Sequence, residues 1–360
     1  MSIKARGSRI ADRGTGTAIG ATLWTVAKGG SVAAAVTVVA LLLIAPDIGL
    51  FVTWKLLVPL VPLLLLVAPE VWRNLCPIAV VHQLPVSLGL GGERRFPARV
   101  QRVAPAIAAL LFFAIVPLRL TVFNSNGTAL AIFVLSILVI ALAGGLLFFG
   151  KSGWCVTWCP VLPVERLYGQ RPVMQVEHAH CSTCSGCIRS CYDLKPERSL
   201  EELIDPDGLL PNRSQGLGAS LLRTPTGLFA MGFPGFVPGY FTHPAGLGIG
   251  PTYLRLAAFV AGSIMLLALT ERAYRVNPRT LVKWAAAIGA FGYYWFTIPD
   301  VAKAAHELLD IPPVPDLGIT AARIAFFAIA TGWLMAAVNS SPRTETVSRR
   351  QRAGSEGTSH

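Results

Sequence analysis

The chain has 360 residues, of which 53% are apolar and only 14% are charged. Soluble domains carry about 25% charged residues, so this composition excludes an ordinary soluble protein and indicates a membrane protein. The net charge of +12 does not by itself predict a nucleic-acid partner, because no RNA- or DNA-binding module accompanies it. Topology explains it better, since cytoplasmic loops of membrane proteins collect Lys and Arg.

Apolar runs that approach the ~20 residues needed to span a bilayer recur along the chain. They cover residues 31–45, 49–67, 103–122, 128–149, 253–270, 281–299 and 318–338. A single run of this kind is often a buried core helix, but seven are not. The basic N-terminus precedes a run without a clear cleavage site, so we expect a retained first span rather than a signal peptide. The sequence therefore predicts an all-α polytopic membrane protein.

The distribution of basic residues predicts the orientation. With the N-terminus in the cytoplasm, the arginine-rich loop 70–102 and the segment after Lys151 lie inside, as the rule requires. Seven spans, however, would place the basic segment 272–283 outside. A further crossing at 224–245, which contains no Lys, Arg, Asp or Glu, removes this conflict. Its glycines and prolines predict a helix broken within the membrane, with a re-entrant or surface loop as the alternative. We expect about eight crossings in the bacterial inner membrane, with both termini cytoplasmic.

This topology divides the chain into four parts. They are the N-terminal hairpins with four spans (1–150), a small cytoplasmic ferredoxin-like insert (151–222), a C-terminal membrane region with three or four spans (223–338) and a polar tail expected to be disordered (339–360). A weak repeat links the first two parts. The segment VWRNLCPIAVVHQLP (71–85) aligns with WCVTWCPVLPVERLY (154–168), with Cys-Pro at the same place in both.

The insert contains a closely spaced group of cysteines in the pattern C-x2-C-x2-C-x3-C. They are Cys181, Cys184, Cys187 and Cys191. Bacterial ferredoxins hold 4Fe-4S clusters with this spacing. Three thiolates two residues apart can reach three corners of one cluster, and the small residues between them let the backbone curl. The alternative is structural zinc, which usually takes two C-x2-C pairs separated by a longer loop.

The other cysteines are Cys76, Cys155 and Cys159. In two-cluster ferredoxins the cysteine after the x3 gap, here Cys191, ligates the second cluster. Two clusters need eight thiolates and the chain has seven, so we expect one 4Fe-4S cluster, and a second only if another group completes it. His178 and His180 are candidates for that group, although most histidines on loops are not ligands.

Cys155 and Cys159 form C-x3-C-P at the exit of the fourth predicted span. Pro160 disfavours helical geometry at Cys159, so the pair is expected to straddle a turn. Buried cysteines can also be simple small hydrophobes, which is the alternative here. Their position just before the ferredoxin spacing favours a ligand role.

These motifs together resemble the bacterial membrane polyferredoxins of the NosR, NapH and CcoG type. The resemblance covers residues 71–193 and implies cytoplasmic 4Fe-4S clusters attached to a helical membrane domain. It also implies electron traffic between a cytoplasmic or quinol donor and a redox partner in or beyond the membrane. The chain departs from the family in three ways: Trp72 replaces the first cysteine of the first pair, one ferredoxin motif is present where two are usual, and Tyr192 stands where that motif has proline.

The sequence thus predicts a membrane-bound electron carrier, a component of an oxidoreductase system rather than a stand-alone enzyme. Its partners would be a redox protein at the membrane, the bilayer and, as a candidate donor, quinol. Positive charge at Arg166, Arg171 and Arg189 is expected to raise the cluster potential. The alternatives are a redox-active assembly factor or sensor and a transporter in which the cysteine insert holds only zinc.

Overall fold

The computed structural model describes residues 18–149, 151, 153–174, 196–205 and 220–339. This part of the chain is helical and contains no β-strand, only an isolated bridge between Arg94 and Phe148. We number the helices α1 (Ala18–Ile44), α2 (Pro46–Val67), α3 (Pro69–Leu75), α4 (Pro77–Ser87), α5 (Ala98–Ile115), α6 (Gly127–Leu147), α7 (Leu162–Tyr168), α8 (Pro196–Ile204), α9 (Pro225–Phe241), α10 (Ile249–Tyr274), α11 (Pro278–Leu309) and α12 (Asp316–Asn339).

Six helical segments in this part of the chain are long and apolar enough to cross a membrane. They are Thr22–Ile44, Pro46–Val67, Arg99–Phe123, Gly127–Leu147, Ile249–Tyr274 and Asp316–Asn339. Large apolar side chains on their surfaces are exposed, such as Leu254 at 75% and Leu317 at 81%. Surfaces of this kind are unfavourable in water and suit lipid. The prediction of a polytopic helical membrane protein is confirmed at this level.

Prolines and capping residues set the local form of these helices. The middle of α2 is a π-helical turn, Val52–Leu57, which ends two residues before Pro59. In a regular α-helix the Pro59 ring would clash with the carbonyl of Lys55, and the wider turn avoids this clash. Asn126 caps α6 by accepting a hydrogen bond from the Ala129 amide, which is the usual role of asparagine at this position.

The segment 224–245 is a continuous helix over most of its length, which differs from the predicted broken helix. Thr224 caps the start of α9, and Pro225 occupies its first turn. Pro234 and Pro238 lie inside the helix without ending it. Each proline removes one backbone donor without breaking the helix here. Most α9 side chains are buried between α5, α10 and α11.

The main hydrophobic core is built around the aromatic residues of α9. Phe112 of α5 contacts Phe229, Phe233 and Phe236 with ring centroids 5.2–5.9 Å apart. Edge-to-face contacts of this length are favourable for aromatic pairs. The short helix α7 belongs to the same core, because Leu167 and Tyr168 are almost fully buried in it. The first part of the predicted cytoplasmic insert is therefore packed into the body of the protein.

Candidate functional site

Cys76 lies between two short helices, where the chain changes direction. It is the C-cap of α3 and also the N-cap of α4. Pro77 is the first residue of α4. The backbone amides of Ile78 and Ala79 lie close enough to the Cys76 thiol to lower its pKa, although burial raises that pKa more strongly. Proline is favoured at the first helical position because its fixed φ fits the helix. The Cys-Pro pair thus directs the sulfur towards the free amides that begin α4.

Cys155 and Cys159 lie in a series of turns between α6 and α7. The amides of Trp158 and Cys159 both donate to the Trp154 carbonyl, at 2.9 and 3.2 Å. The amide of Leu162 donates to the Cys159 carbonyl at 3.1 Å and leads the chain into α7. The two cysteines therefore straddle a turn rather than sharing a helical face, as the position of Pro160 predicts.

The structure brings these cysteines together, although Cys76 is far from the other two in sequence. All three line one cavity of about 930 Å³, whose walls are mainly apolar. Cys159 is close enough to interact electrostatically with both Cys155 and Cys76. Their side chains are partly accessible because they face this cavity. The two aligned Cys-Pro segments thus meet at one place.

Charged side chains surround this end of the cavity. Arg73 and Glu165 form a buried ion pair with a distance of 2.7 Å from Nε to Oε1, and both line the cavity. Lys151 lines it as well and interacts electrostatically with Cys76. Glu165 acts on the Cys76 thiol more strongly than Lys151 does, so these two charges together disfavour negative charge on that sulfur.

Burial disfavours ionisation of the Cys76 and Cys159 thiols more strongly than the nearby charges do. It raises the pKa of the Cys76 thiol to about 11, while the amides of Ile78 and Ala79 act in the lowering direction. Burial also raises the pKa of Cys159, and the nearby thiols Cys155 and Cys76 raise it further. The free thiols of Cys76 and Cys159 therefore stay protonated near neutral pH.

The three thiols fit part of the ligand set of an iron–sulfur cluster. Among the described residues, no group of three or more Cys, His, Asp and Glu side chains converges closely enough to hold a metal ion. A 4Fe-4S cluster places its ligands on separate corners of a cube, so its thiolates lie further apart than those around one ion. An apolar surrounding and backbone amides near a sulfur, as at Cys76, are features that tune such clusters.

Trp54, Arg119 and Tyr240 line another part of the same cavity, near the start of α6. Leu130, Phe133 and Ile137 follow one face of α6 along the cavity wall. Past this face, Arg119 lies over the Trp54 ring at 4.6 Å and near the Tyr240 ring at 5.8 Å. Because Cys155 follows the other end of α6, the cavity extends along much of that helix, which is about 30 Å long.

The remaining predicted ligands cannot be compared with the structure. Cys181, Cys184, Cys187 and Cys191, together with His178, His180 and Arg189, lie outside the described residues. Arg166 and Arg171 are described, but neither lines the cavity with the cysteines. Arg166 lines a small separate cavity beside α5 and α9, and the Arg171 carbonyl accepts from the Trp333 indole. Arg73 and Lys151 are cations that line the cavity together with Cys76, Cys155 and Cys159.

The sequence did not predict the roles of Arg73, Glu165 and Lys151. One available signal was that the aligned segments 71–85 and 154–168 each carry charge near Cys-Pro, with Arg73 in the first and Glu165 in the second. Opposite charges in two segments that both hold candidate ligands suggest a contact between them.

A comparison with family models, curated proteins and solved structures finds no match to this chain.

Proposed function

We propose that this chain is a multi-pass protein of the bacterial inner membrane that binds 4Fe-4S clusters and transfers single electrons. Cys181, Cys184 and Cys187 hold the main cluster in this proposal. Cys191, with the three cysteines of the cavity, completes it or forms a second one. When bound, such a cluster accepts and donates one electron at a time without making or breaking bonds to a substrate.

The observation that carries this proposal is the meeting of Cys76, Cys155 and Cys159 at one cavity. Cys76 and Cys159 are separated by 83 positions in sequence (159 − 76). Chance would rarely bring two Cys-Pro turns from different hairpins to the same buried place. Ordinary interfacial cysteines need no shared cavity and no surrounding cations, so the arrangement supports ligands rather than fillers.

Eight crossings follow if α9 and α11 are added to the six apolar segments. The start of α9, at Thr226 and Phe229, lies beside Leu162 of α7, on the side of the cysteines. Its other end, at Tyr240, lies near Arg119. The 17 residues of α9 span about 25 Å at 1.5 Å per residue, which is close to the thickness of the hydrocarbon layer.

The two ends of α11 support the same arrangement. Lys283, near its start, bonds to Glu197 of α8 and to the Ala337 carbonyl at the end of α12. Asp300, much further along, pairs with Lys55 at 2.6 Å. The insert and the end of α12 would then share the cytoplasmic side, and the acidic connection after α11 would lie outside. This placement agrees with basic residues on the inner side.

The apolar cavity supports quinol as a candidate donor. Its volume of about 930 Å³ lies within the range of small-molecule sites, which are mainly apolar with a few polar groups. A redox protein at the membrane would take the role of acceptor. In the alternative from another class, the chain is an assembly factor or sensor that reduces a metal such as copper, without sustained electron flow.

Metal analysis of the intact protein tests the proposal. We expect protein purified from membranes without oxygen to be brown and to contain about four or eight irons per chain, with equal acid-labile sulfide. Reduction should produce low-temperature spin-resonance signals. Colourless protein with one zinc would instead support the zinc-stapled transporter, and protein without iron and sulfide would contradict every cluster proposal.

Substitutions then separate the ligand sets and the functional classes. Cys191→Ser should remove one spin-resonance signal and leave another if two clusters are present. Cys76→Ser should alter a signal, while Thr157→Ser, a conservative change in the turn between Cys155 and Cys159, should leave the spectrum unchanged. Oxidation of a quinol or of reduced ferredoxin distinguishes a carrier from a sensor, because a carrier turns over repeatedly.

A further inference from the structure

The ion pair between Arg73 and Glu165 joins the two Cys-Pro segments directly. Arg73 is in the last turn of α3, three positions before Cys76, and Glu165 is in α7, six positions after Cys159. The Arg73 Nε donates to the Glu165 Oε1 at 2.7 Å across 92 positions of sequence. The pair therefore connects the backbones that present the two cysteines.

Both partners of this pair are removed from solvent. The Arg73 side chain is 4% exposed and the Glu165 side chain is 10% exposed. Gly169 closes against them, because a Cβ there would lie 3.3 Å from an Arg73 guanidinium nitrogen. Taking two charges out of water is costly, and apolar replacements of a buried pair are often neutral or stabilising. Stability alone therefore gives a weak reason for charges at these positions.

The charges act on the thiols beside them. Arg73 and Glu165 line the same cavity as Cys76, Cys155 and Cys159. This shared lining places the Glu165 carboxylate near both Cys-Pro turns. Arg73 neutralises this carboxylate at short range. Screening by salt is weak for buried charges, so loss of either partner would change the electrostatic potential at the thiolates.

We propose that Arg73 and Glu165 are tuning residues, whose opposed charges set the reduction potential of the iron–sulfur centre ligated by Cys76, Cys155 and Cys159. This inference rests on the proposed function. Reduction adds one electron from the donor to the centre and forms or breaks no bond. The added negative charge is favoured by Arg73 and opposed by Glu165, and cluster potentials respond to nearby charge. With both charges present, the reduction potential lies between the value expected with Arg73 alone and the value expected with Glu165 alone.

Single and double neutral substitutions test this inference. We expect Arg73→Gln to lower the reduction potential and Glu165→Gln to raise it. Each should change the ratio of oxidised to reduced centre at a fixed potential by about tenfold or more, which equals about 59 mV for a one-electron couple. The double substitution should return the potential towards that of the native protein. Anaerobic redox titration of the spin-resonance signals with a chemical reductant measures all four proteins.

Two further variants control for charge and for folding. Lys303→Gln removes one charge at an exposed site on α11 and should leave the potential unchanged. Arg73→Lys keeps the positive charge and should retain most of the native potential. If all iron is lost from Arg73→Gln and Glu165→Gln but kept in Arg73→Lys, the pair has a structural role and the tuning proposal is wrong.

The proposed function and this inference fail in distinguishable ways. Native protein without iron and sulfide contradicts the function itself. Iron-loaded variants whose potentials do not move, or move in the same direction, contradict only the tuning role. Opposite shifts that cancel in the double variant are the result that supports it, because a general loosening of the site would not change sign between the two substitutions.

Discussion

At the scale of single residues, the Cys-Pro pair shows how a dipeptide can position a thiol. Proline begins a helix and the preceding cysteine becomes its cap, so that the Cys76 sulfur meets the first free amides of α4. Local sequence predicts this geometry, because it depends on neighbours only. Local sequence does not predict the charges around the thiols. Arg73 and Glu165 are 92 positions apart and come together only in the folded protein.

His82 is a further buried titratable residue near Cys76, and its lowered pKa predicts that stability depends on pH. It is fully buried in α4, and neither ring nitrogen has a hydrogen-bond partner within the part of the chain that the structure describes. Burial, with a smaller contribution from Lys151, lowers its pKa from 6.5 to about 4. The unfolded chain therefore takes up a proton at a higher pH than the folded protein does. Stability is full above pH 6.5 and falls as the pH decreases towards 4.

We expect the thermal unfolding midpoint of the native protein in detergent to decrease as the pH falls from 6.5 towards 4. The variant His82→Gln should show a smaller decrease over the same range, because the titrating ring is absent. His306→Gln, at an exposed histidine of α11, is the matched control and should leave the curve as it is. Midpoints measured by a thiol-independent fluorescence assay between pH 7 and pH 4 give the comparison. Equal slopes for the native protein and His82→Gln would contradict the assignment.

At the scale of elements, α9 shows why the glycines in 224–245 were misleading. Glycine and proline commonly mark turns, but here the glycines allow two helices to approach closely. Gly232, Gly235 and Gly239 face α10, where a Cβ on each would meet Val260 or Phe259 too closely. Small residues of this kind are common where membrane helices pack together. Ser263 of α10 adds a hydrogen bond to the Met231 carbonyl at 2.7 Å.

Glycine substitutions test this packing. Gly235→Ala would push a methyl group against the Phe259 carbonyl and the Ser263 side chain, and overpacking of this size costs about 1–3 kcal/mol. Gly262→Ala on α10 meets no neighbouring atom within 4 Å, so it should be neutral or slightly stabilising because alanine favours helix. Thermal unfolding of the two variants in the same detergent measures the difference. A stable Gly235→Ala protein would contradict the close approach.

At the scale of the whole molecule, the helices α9 and α11 determine how many times the chain crosses the membrane. Seven crossings would place the connection after α10 outside, whereas eight place it in the cytoplasm. The ion pairs Lys283–Glu197 and Lys55–Asp300 lie towards opposite ends of α11 and favour a full crossing by that helix. The basic residues near Arg275 and the acidic residues near Asp310 would then lie on the sides that the charge rule predicts.

Labelling of introduced cysteines tests this topology in intact cells. Arg275→Cys, in the connection after α10, should react only with a membrane-permeant maleimide. Pro313→Cys, in the exposed connection before α12, should react with an impermeant reagent added outside. The native protein provides the background from its own cysteines. Labelling of Arg275→Cys from outside would remove the crossing by α9 and return the count to an odd number.

The sequence by itself determined that this is a helical membrane protein, and it located the apolar runs that form the membrane-spanning helices. A bilayer requires about 20 apolar residues for each helix, and this requirement is visible in any window of the chain. The turn at Cys155 and Cys159 was equally predictable, because Pro160 acts on its immediate neighbour.

Only the tertiary structure decided what surrounds the cysteines. The meeting of Cys76 with Cys159, the ion pair that joins their segments, the long apolar cavity and the continuous form of α9 all depend on how separate helices pack. Such contacts link positions far apart in the chain, and their geometry follows from side-chain shape at many sites at once. No short stretch of sequence contains that information, which explains why Arg73 and Glu165 were not predicted.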